Sequence, residues 1–299
     1  MGERDNFPAE ASEDAKEPEE AADAEERATD QCHTEQRDTE PAPPERSTFR
    51  RGDHEIHLFR WPKPGAHRLL LVHGIGMGHE VYDRFVSTAH HEADVICVDL
   101  PGFGDSPEPA EALSMQGTAD LLAECIREQG LAPLTAVGHS MGAQVVAGLA
   151  ARHPELLECL VLVAPTVNRH ERTANKQALR ILQDLTNNSP AVFARGLVAY
   201  LRTGPRWYVK KLGPTLDHRI EDCLPNIELR TLVLRGENDA VSPRDWAREV
   251  TALLPHAELR ELKDRGHEAL ISSGEPAARL VLDWIAAGDP SPGQAARAQ

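Results

Sequence analysis

From residue 54 onward the chain alternates short apolar runs with longer stretches of helical spacing. HEIHLFRW (54–61) alternates in polarity like an early strand. RLLLVHG (68–74), DVICVDLPG (94–102), LTAVGHS (134–140), ECLVLVAP (158–165) and RTLVLRG (230–236) are compact apolar runs, as expected of strands buried on both faces. AELREL (257–262) is a more polar strand candidate. Helical patterns lie between them. Ser114 is placed to cap a helix carrying Leu121, Leu122, Cys125 and Ile126 that stops near Gly130. Ser242-Pro243 opens another, with Trp246, Val250 and Leu253 at helical spacing, and a last one, Pro276 to Ala287, buries Leu280 and Trp284. The alternation predicts an α/β fold: a mainly parallel central sheet with helices on both faces.

One interval breaks the rhythm. Between Pro165 and Pro225 there is no strand pattern, and helical stretches follow one another at 171–186, 190–202 and 205–212. A single crossover rarely needs so much chain, so residues 166–224 are predicted to form an inserted helical cap on a core of residues 50–165 and 225–287. Residues 1–49 carry 5 basic and 16 acidic side chains and almost no large apolar ones. Such a segment cannot bury enough surface to offset its chain entropy, which predicts a disordered acidic tail, with 288–299 a shorter frayed end.

Composition narrows the function classes. No apolar run reaches the roughly 18–20 residues of a membrane span, and a net charge of −16 argues against nucleic acid as a partner. The tail lacks the apolar or arginine-rich character of a targeting peptide. Cys32, Cys97, Cys125, Cys159 and Cys223 are scattered and odd in number, which reads as thiols in a reducing cytoplasm rather than a disulfide framework. GIGMG (74–78) fails G-x-G-x-x-G because position 79 is His, and neither a P-loop nor an HExxH occurs, so no cofactor and no metal are implied.

The chemistry concentrates in TAVGHSMGAQVVAGLA (135–150). Ser140 stands where a strand pattern becomes a helix pattern, with Gly138 and Gly142 two residues away on either side. That is G-x-S-x-G, a turn that lifts a nucleophile clear of the backbone and needs glycines where side chains would collide. A serine hydroxyl requires a base. His267, in KDRGHEAL between the last strand and last helix patterns, is the candidate. A carboxylate must then orient the imidazole. Asp239, in GENDAVSP after a strand, is preferred to Asp264, which shares the histidine's own loop, and to Glu237. Backbone N–H groups of Met141 and Ile75, the latter in His73-Gly74-Ile75-Gly76, are candidates to stabilise an oxyanion. Gly74, His139 and Trp207 are expected to border the substrate.

HGIG, VDLPGFGDSP, GHSMG, GENDAVSP and GH, in that order, resemble the capped serine hydrolases of the α/β-hydrolase fold over about residues 50–287. The resemblance implies Ser140 as nucleophile, Asp239 as acid, His267 as base, Ile75 and Met141 as oxyanion donors, and Asp99 to Ser106 as a loop that shapes the site. Serine rather than aspartate at the elbow argues against dehalogenases and epoxide hydrolases of this fold. Carbon–carbon bond hydrolases usually carry Asn and Trp where this chain has His139 and Glu268. The expected activity is hydrolysis of a carboxylic ester or thioester of a small molecule; carbon–carbon cleavage, acyl transfer and ligand sensing are the alternatives. Residues 166–224 are basic, with 10 Lys/Arg against 5 Asp/Glu, including Arg195, Arg202, Arg206, Lys210 and Lys211 around Phe193, Tyr200, Trp207 and Tyr208. These cations either solvate the cap or form a rim that reads an anionic acyl group.

Overall fold

A computed structural model describes residues 41–186 and 204–288. Eight strands form one sheet: β1 (Glu45–Arg51), β2 (His54–Trp61), β3 (Arg68–Val72), β4 (Asp94–Asp99), β5 (Leu134–His139), β6 (Leu157–Val163), β7 (Thr231–Gly236) and β8 (Ala257–Leu262). Their spatial order is β1-β2-β4-β3-β5-β6-β7-β8. The β1–β2 and β2–β4 pairs are antiparallel and the remaining neighbours are parallel. The predicted mainly parallel sheet is therefore present, with an antiparallel edge.

Each buried strand feeds two cores, because successive side chains point to opposite faces. Leu70, Val72, Ile96 and Val98 pack with α2 (Met115–Glu128), α3 (Met141–Arg152) and α6 (Arg244–Leu253). Leu69, Leu71, Val95 and Cys97 pack on the other side with α1 (Asp83–Ala89) and α8 (Gly274–Ala286). The Ser114 hydroxyl accepts from the Gly117 amide at 3.0 Å, the cap expected for α2, and Gly130 closes that helix region with φ +61°. Between β6 and β7 the described chain holds no strand; after an irregular stretch over 164–173 come α4 (Ala174–Thr186), α5 (Pro205–Asp217) and short turns at Ile220–Asp222 and Leu224–Asn226. The helix expected over 190–202, with Phe193, Arg195, Tyr200 and Arg202, lies outside the described residues. A short helix α7 (Ala269–Ser272) precedes α8. Among the described residues no helix is long and apolar enough to cross a membrane.

The expected tail overran its boundary. Residues 45–49 belong to β1, which pairs with β2 from Glu45↔Arg60 to Arg51↔His54 and buries Phe49 completely. Its other six residues are exposed and polar or charged, which hides its one apolar anchor from a composition argument.

Two substitutions test the packing. Phe49→Ala removes a fully buried ring and is expected to lower stability by about 3 kcal/mol, read as a fall of several degrees in Tm. At Gly142 an added Cβ would lie 2.1 Å from the Val72 carbonyl oxygen and 2.7 Å from that of His73. Gly142→Ala therefore forces α3 away from β3, with an expected loss of about 2–3 kcal/mol in denaturant unfolding.

Candidate active site

The site is assembled at the carboxyl ends of β3, β5 and β7 and in the loop after β8, where a parallel sheet presents its connections. Ser140 sits between β5 and α3 with φ 56° and ψ −114°, a left-handed conformation that costs a residue with a side chain about 1–3 kcal/mol. Its amide donates to the Val163 carbonyl at 2.9 Å, so β6 holds the turn. Gly138 is required as well as Gly142: a Cβ there would stand 2.4 Å from the Gly142 carbonyl oxygen.

His267 Nε2 lies 3.0 Å from Ser140 Oγ, and His267 Nδ1 lies 3.0 and 3.2 Å from the two Asp239 carboxylate oxygens. The structure thus brings together Ser140, His267 and Asp239. Asp264 has φ 57°, and its amide donates to the Glu237 carboxylate at 3.2 Å, so that rival carboxylate is engaged with the backbone of the histidine loop. Burial disfavours a charged imidazole at His267. The charge and hydrogen bond of Asp239, helped by Asp184 and Glu268, outweigh it and raise the pKa above the ordinary 6.5.

Asp239 is held by a template. Asp239 Oδ1 accepts from the amides of Val241 at 2.8 Å and Ser242 at 2.7 Å. Beneath the loop the buried Arg235 guanidinium donates to the carbonyls of Ser242 and Asp239, both at 2.9 Å, and pairs with Glu261. The histidine loop is joined to the same strand end. Gly236 approaches the backbone of 265–266 so closely that a Cβ would lie 2.2 Å from the Gly266 carbonyl oxygen, and the Asn238 amide donates to Arg265 at 2.7 Å.

The turn after β3 borders the nucleophile. A Cβ on Gly74 would be 3.3 Å from Ser140 Cβ, which places the segment containing Ile75 beside the start of α3, where Met141 is the first helical residue. First-turn amides of a helix have no intrahelical partner and carry its positive end. His73 Nε2 accepts from the Leu100 amide at 3.1 Å while its Nδ1–H donates to the Gly74 carbonyl at 2.8 Å, tying this turn to the end of β4. Asp99 fixes the next loop: its carboxylate accepts from the amides of His79 at 2.6 Å and Asp105 at 2.7 Å, and its carbonyl from the Ser106 hydroxyl at 2.7 Å. The Asp99–Ser106 loop is thus folded around the carboxylate and carbonyl of Asp99.

Two expected substrate contacts are corrected. His139 is fully buried, and its Nε2–H donates to the His267 carbonyl at 3.0 Å, so it braces the histidine loop instead of facing a ligand. Burial and the neighbouring His267 push His139 down to about 4, which keeps it neutral. Trp207 is also buried, with its indole against Gly102 and 6.4 Å from the Phe103 ring centroid; it anchors α5 to the core. The adjacent Tyr208 instead lies over Gly76, 3.2 Å from where a Cβ would stand. Of the expected rim cations, Lys210 donates to the Ala110 carbonyl and Lys211 to Leu113 and Thr118, at 2.9 and 3.0 Å for the latter two, while Arg206 is exposed. Lys210 and Lys211 therefore fasten α5 to the core. Sequence reasoning missed Asp184, whose Oδ1 accepts from the amides of His267 at 3.0 Å and Ala240 at 3.3 Å. It also missed Thr166, whose hydroxyl is 3.5 Å from Ser140 Oγ.

Comparison with known proteins agrees with this architecture. Residues 67–203 match the family model described as alpha/beta hydrolase fold, and 205–294 match one described as TAP-like protein. The (E)-2-((N-methylformamido)methylene)succinate hydrolase of Acinetobacter baylyi is 32% identical over 235 residues, 73% of this chain and 89% of that protein. The poly(3-hydroxyalkanoate) depolymerase of Ectopseudomonas oleovorans is 24% identical over 243 residues, 75% and 86% of the two chains. The crystal structure of the enol-lactonase from Burkholderia xenovorans superposes with a TM-score of 0.70 at 20% identity, covering 80% of this chain and 100% of its own. Sheet order, elbow and relatives converge: the chain belongs to the alpha/beta hydrolase fold family.

Proposed function

We propose that this hydrolase cleaves a carboxylic ester or thioester of a small or medium acyl group through an acyl-enzyme. The observation that carries the reading is the hydrogen-bonded run from Ser140 Oγ through His267 to Asp239. With Nδ1–H donated to Asp239, the His267 ring presents an unprotonated Nε2 to the serine hydroxyl. As Ser140 Oγ attacks the carbonyl carbon, Nε2 takes its proton, and Asp239 stabilises the resulting imidazolium. The oxyanion meets the backbone N–H groups of Met141 and Ile75. Collapse of the intermediate breaks the bond to the alcohol or thiol, which takes the proton from His267. Water then repeats the sequence on the acyl-Ser140 ester, releasing the acid and the free hydroxyl.

The relatives above, one named a hydrolase and one a depolymerase of a poly(3-hydroxyalkanoate), support hydrolysis over acyl transfer. Tyr208 over Gly76 supports an aromatic wall beside the oxyanion turn.

A fluorophosphonate probe is expected to label Ser140. Labelling and turnover of a short-chain aryl ester should both collapse in Ser140→Ala and in His267→Ala, with the double variant little worse than either. A protein that only binds ligands would show no turnover to lose, and undiminished labelling of Ser140→Ala would refute the nucleophile. Asp239→Asn should cut kcat by about 10⁴-fold with the fold intact, whereas Asp264→Asn should change it little. The pH profile supplies a separate check. Because the His267 pKa is raised above 6.5 and only the neutral ring accepts a proton, kcat/KM should fall on the acid side with a midpoint above 6.5. A midpoint below that value would contradict the electrostatics described.

A further inference from the structure

We propose that Asp184 is a positioning residue for Ser140, His267 and Asp239: from helix α4 it clamps the backbone of His267 to the loop that carries Asp239, making the imidazole's orientation depend on how α4 is seated. The inference rests on the catalytic reading of those three residues and deepens it.

The clamp is formed by one oxygen. Asp184 Oδ1 accepts from the His267 amide at 3.0 Å and from the Ala240 amide at 3.3 Å, so it joins the base to the residue following the acid. Asp239 Oδ1 takes the next two amides, Val241 and Ser242. Three consecutive N–H groups of this loop are therefore directed at two carboxylates, one bonded to the His267 backbone and one to its ring. Asp184 alone among these groups comes from the segment between β6 and β7.

Neither helix nor loop requires a carboxylate at this position. Asp184 lies within α4, and aspartate is a poor helix former. The residue is almost fully buried, and burial raises its pKa despite the opposing pull of His267, with Asp239 and Glu268 adding like charge. A neutral amide would satisfy both N–H groups without these costs. What a carboxylate adds is a second negative charge facing an imidazole that becomes cationic during turnover. The groups facing His267 are Asp239, Asp184, Glu268 and the neutral His139. Charge on Asp184 thus favours the imidazolium while its hydrogen bonds fix the backbone from which the ring projects.

The N-terminal end of α4 is tethered independently. Arg180 pairs with Glu171 at 2.6 Å, Gln177 donates to the Glu171 carbonyl at 2.9 Å, and Lys176 to the His170 carbonyl at 3.2 Å. Asp184, further along the same helix, links it to the two loops of the site.

The test compares the wild-type protein, Asp184→Asn, Asp184→Ala and Ser140→Ala, using the rate of fluorophosphonate labelling and aryl-ester turnover as functions of pH. Asp184→Ala is expected to lower kcat and the labelling rate by about 10- to 100-fold, with KM changed by less than about threefold, because the ring is misplaced while the acyl pocket remains. Asp184→Asn keeps an acceptor for both amides, so its kcat should fall by less than about tenfold. Its acid limb should move to lower pH, because a charge that favoured the imidazolium has gone. A structural role alone would leave that limb in place. An Asp184→Asn limb coincident with wild type overturns the inference even if Asp184→Ala fails to fold. A folded Asp184→Ala with wild-type kcat, or one whose loss lies entirely in KM, overturns it as well. Labelling of Ser140→Ala at the wild-type rate would instead refute the catalytic reading on which the clamp depends.

Discussion

At Gly142 a hydrogen stands where a methyl carbon would meet the Val72 carbonyl at 2.1 Å, and α3 can therefore begin in contact with the end of β3. The consequences spread from there. A helix starting this close leaves no room for a relaxed connection from β5, so Ser140 takes the left-handed conformation between strand and helix. Its amide is held by β6, and the helix's unpaired first-turn N–H groups open beside the turn after β3. The strain is sustained because β5 and the carboxyl-terminal halves of β3 and β6 are buried around the turn and cannot yield separately.

The opposite half of the site is an electrostatic construction. A buried guanidinium, Arg235, templates the loop carrying Asp239 by donating to its carbonyls, and consecutive loop amides face the carboxylates. Burying so many charges is unfavourable unless each is paired and fully hydrogen-bonded, and here the backbone supplies most of the partners. The result is a histidine held at its ring Nδ1 by Asp239, at its backbone amide by Asp184 and at its carbonyl by His139. Three contacts on one residue, from β5, from the loop after β7 and from α4, explain how a histidine on a loop is held within hydrogen-bonding distance of a serine contributed by a different strand.

The sheet's strands and most helices were legible because they rest on local periodicity. HEIHLFRW and AELREL became β2 and β8 with the boundaries read from the sequence, and Ser114 caps α2 as its position required. Ser140 was legible for a related reason: its glycines answer a steric problem contained within five residues. Asp239 and His267 followed from loop position, since groups at the carboxyl ends of parallel strands converge on one edge. β1 was not legible. Its stability comes from pairing with β2 and from one buried ring, while its own residues read as a charged tail.

By itself, then, the sequence determined strands β2 to β8, the strained serine and the order of the residues expected to act with it, because each depends on spacing along the chain. Only the tertiary structure decided which polar side chains face inward. His139 and Trp207 sit beside candidate site features in sequence yet are turned into the core, one as a brace for the His267 carbonyl and one as an anchor for α5. Lys210 and Lys211 look like a basic rim and instead cap carbonyls of the 110–118 segment. Nothing in the local sequence singles out Asp184, whose partners are two amides more than fifty residues further along the chain. Periodicity reports the face a residue shares with its neighbours; the partner a polar group meets is set by how distant segments pack, and no local pattern encodes it.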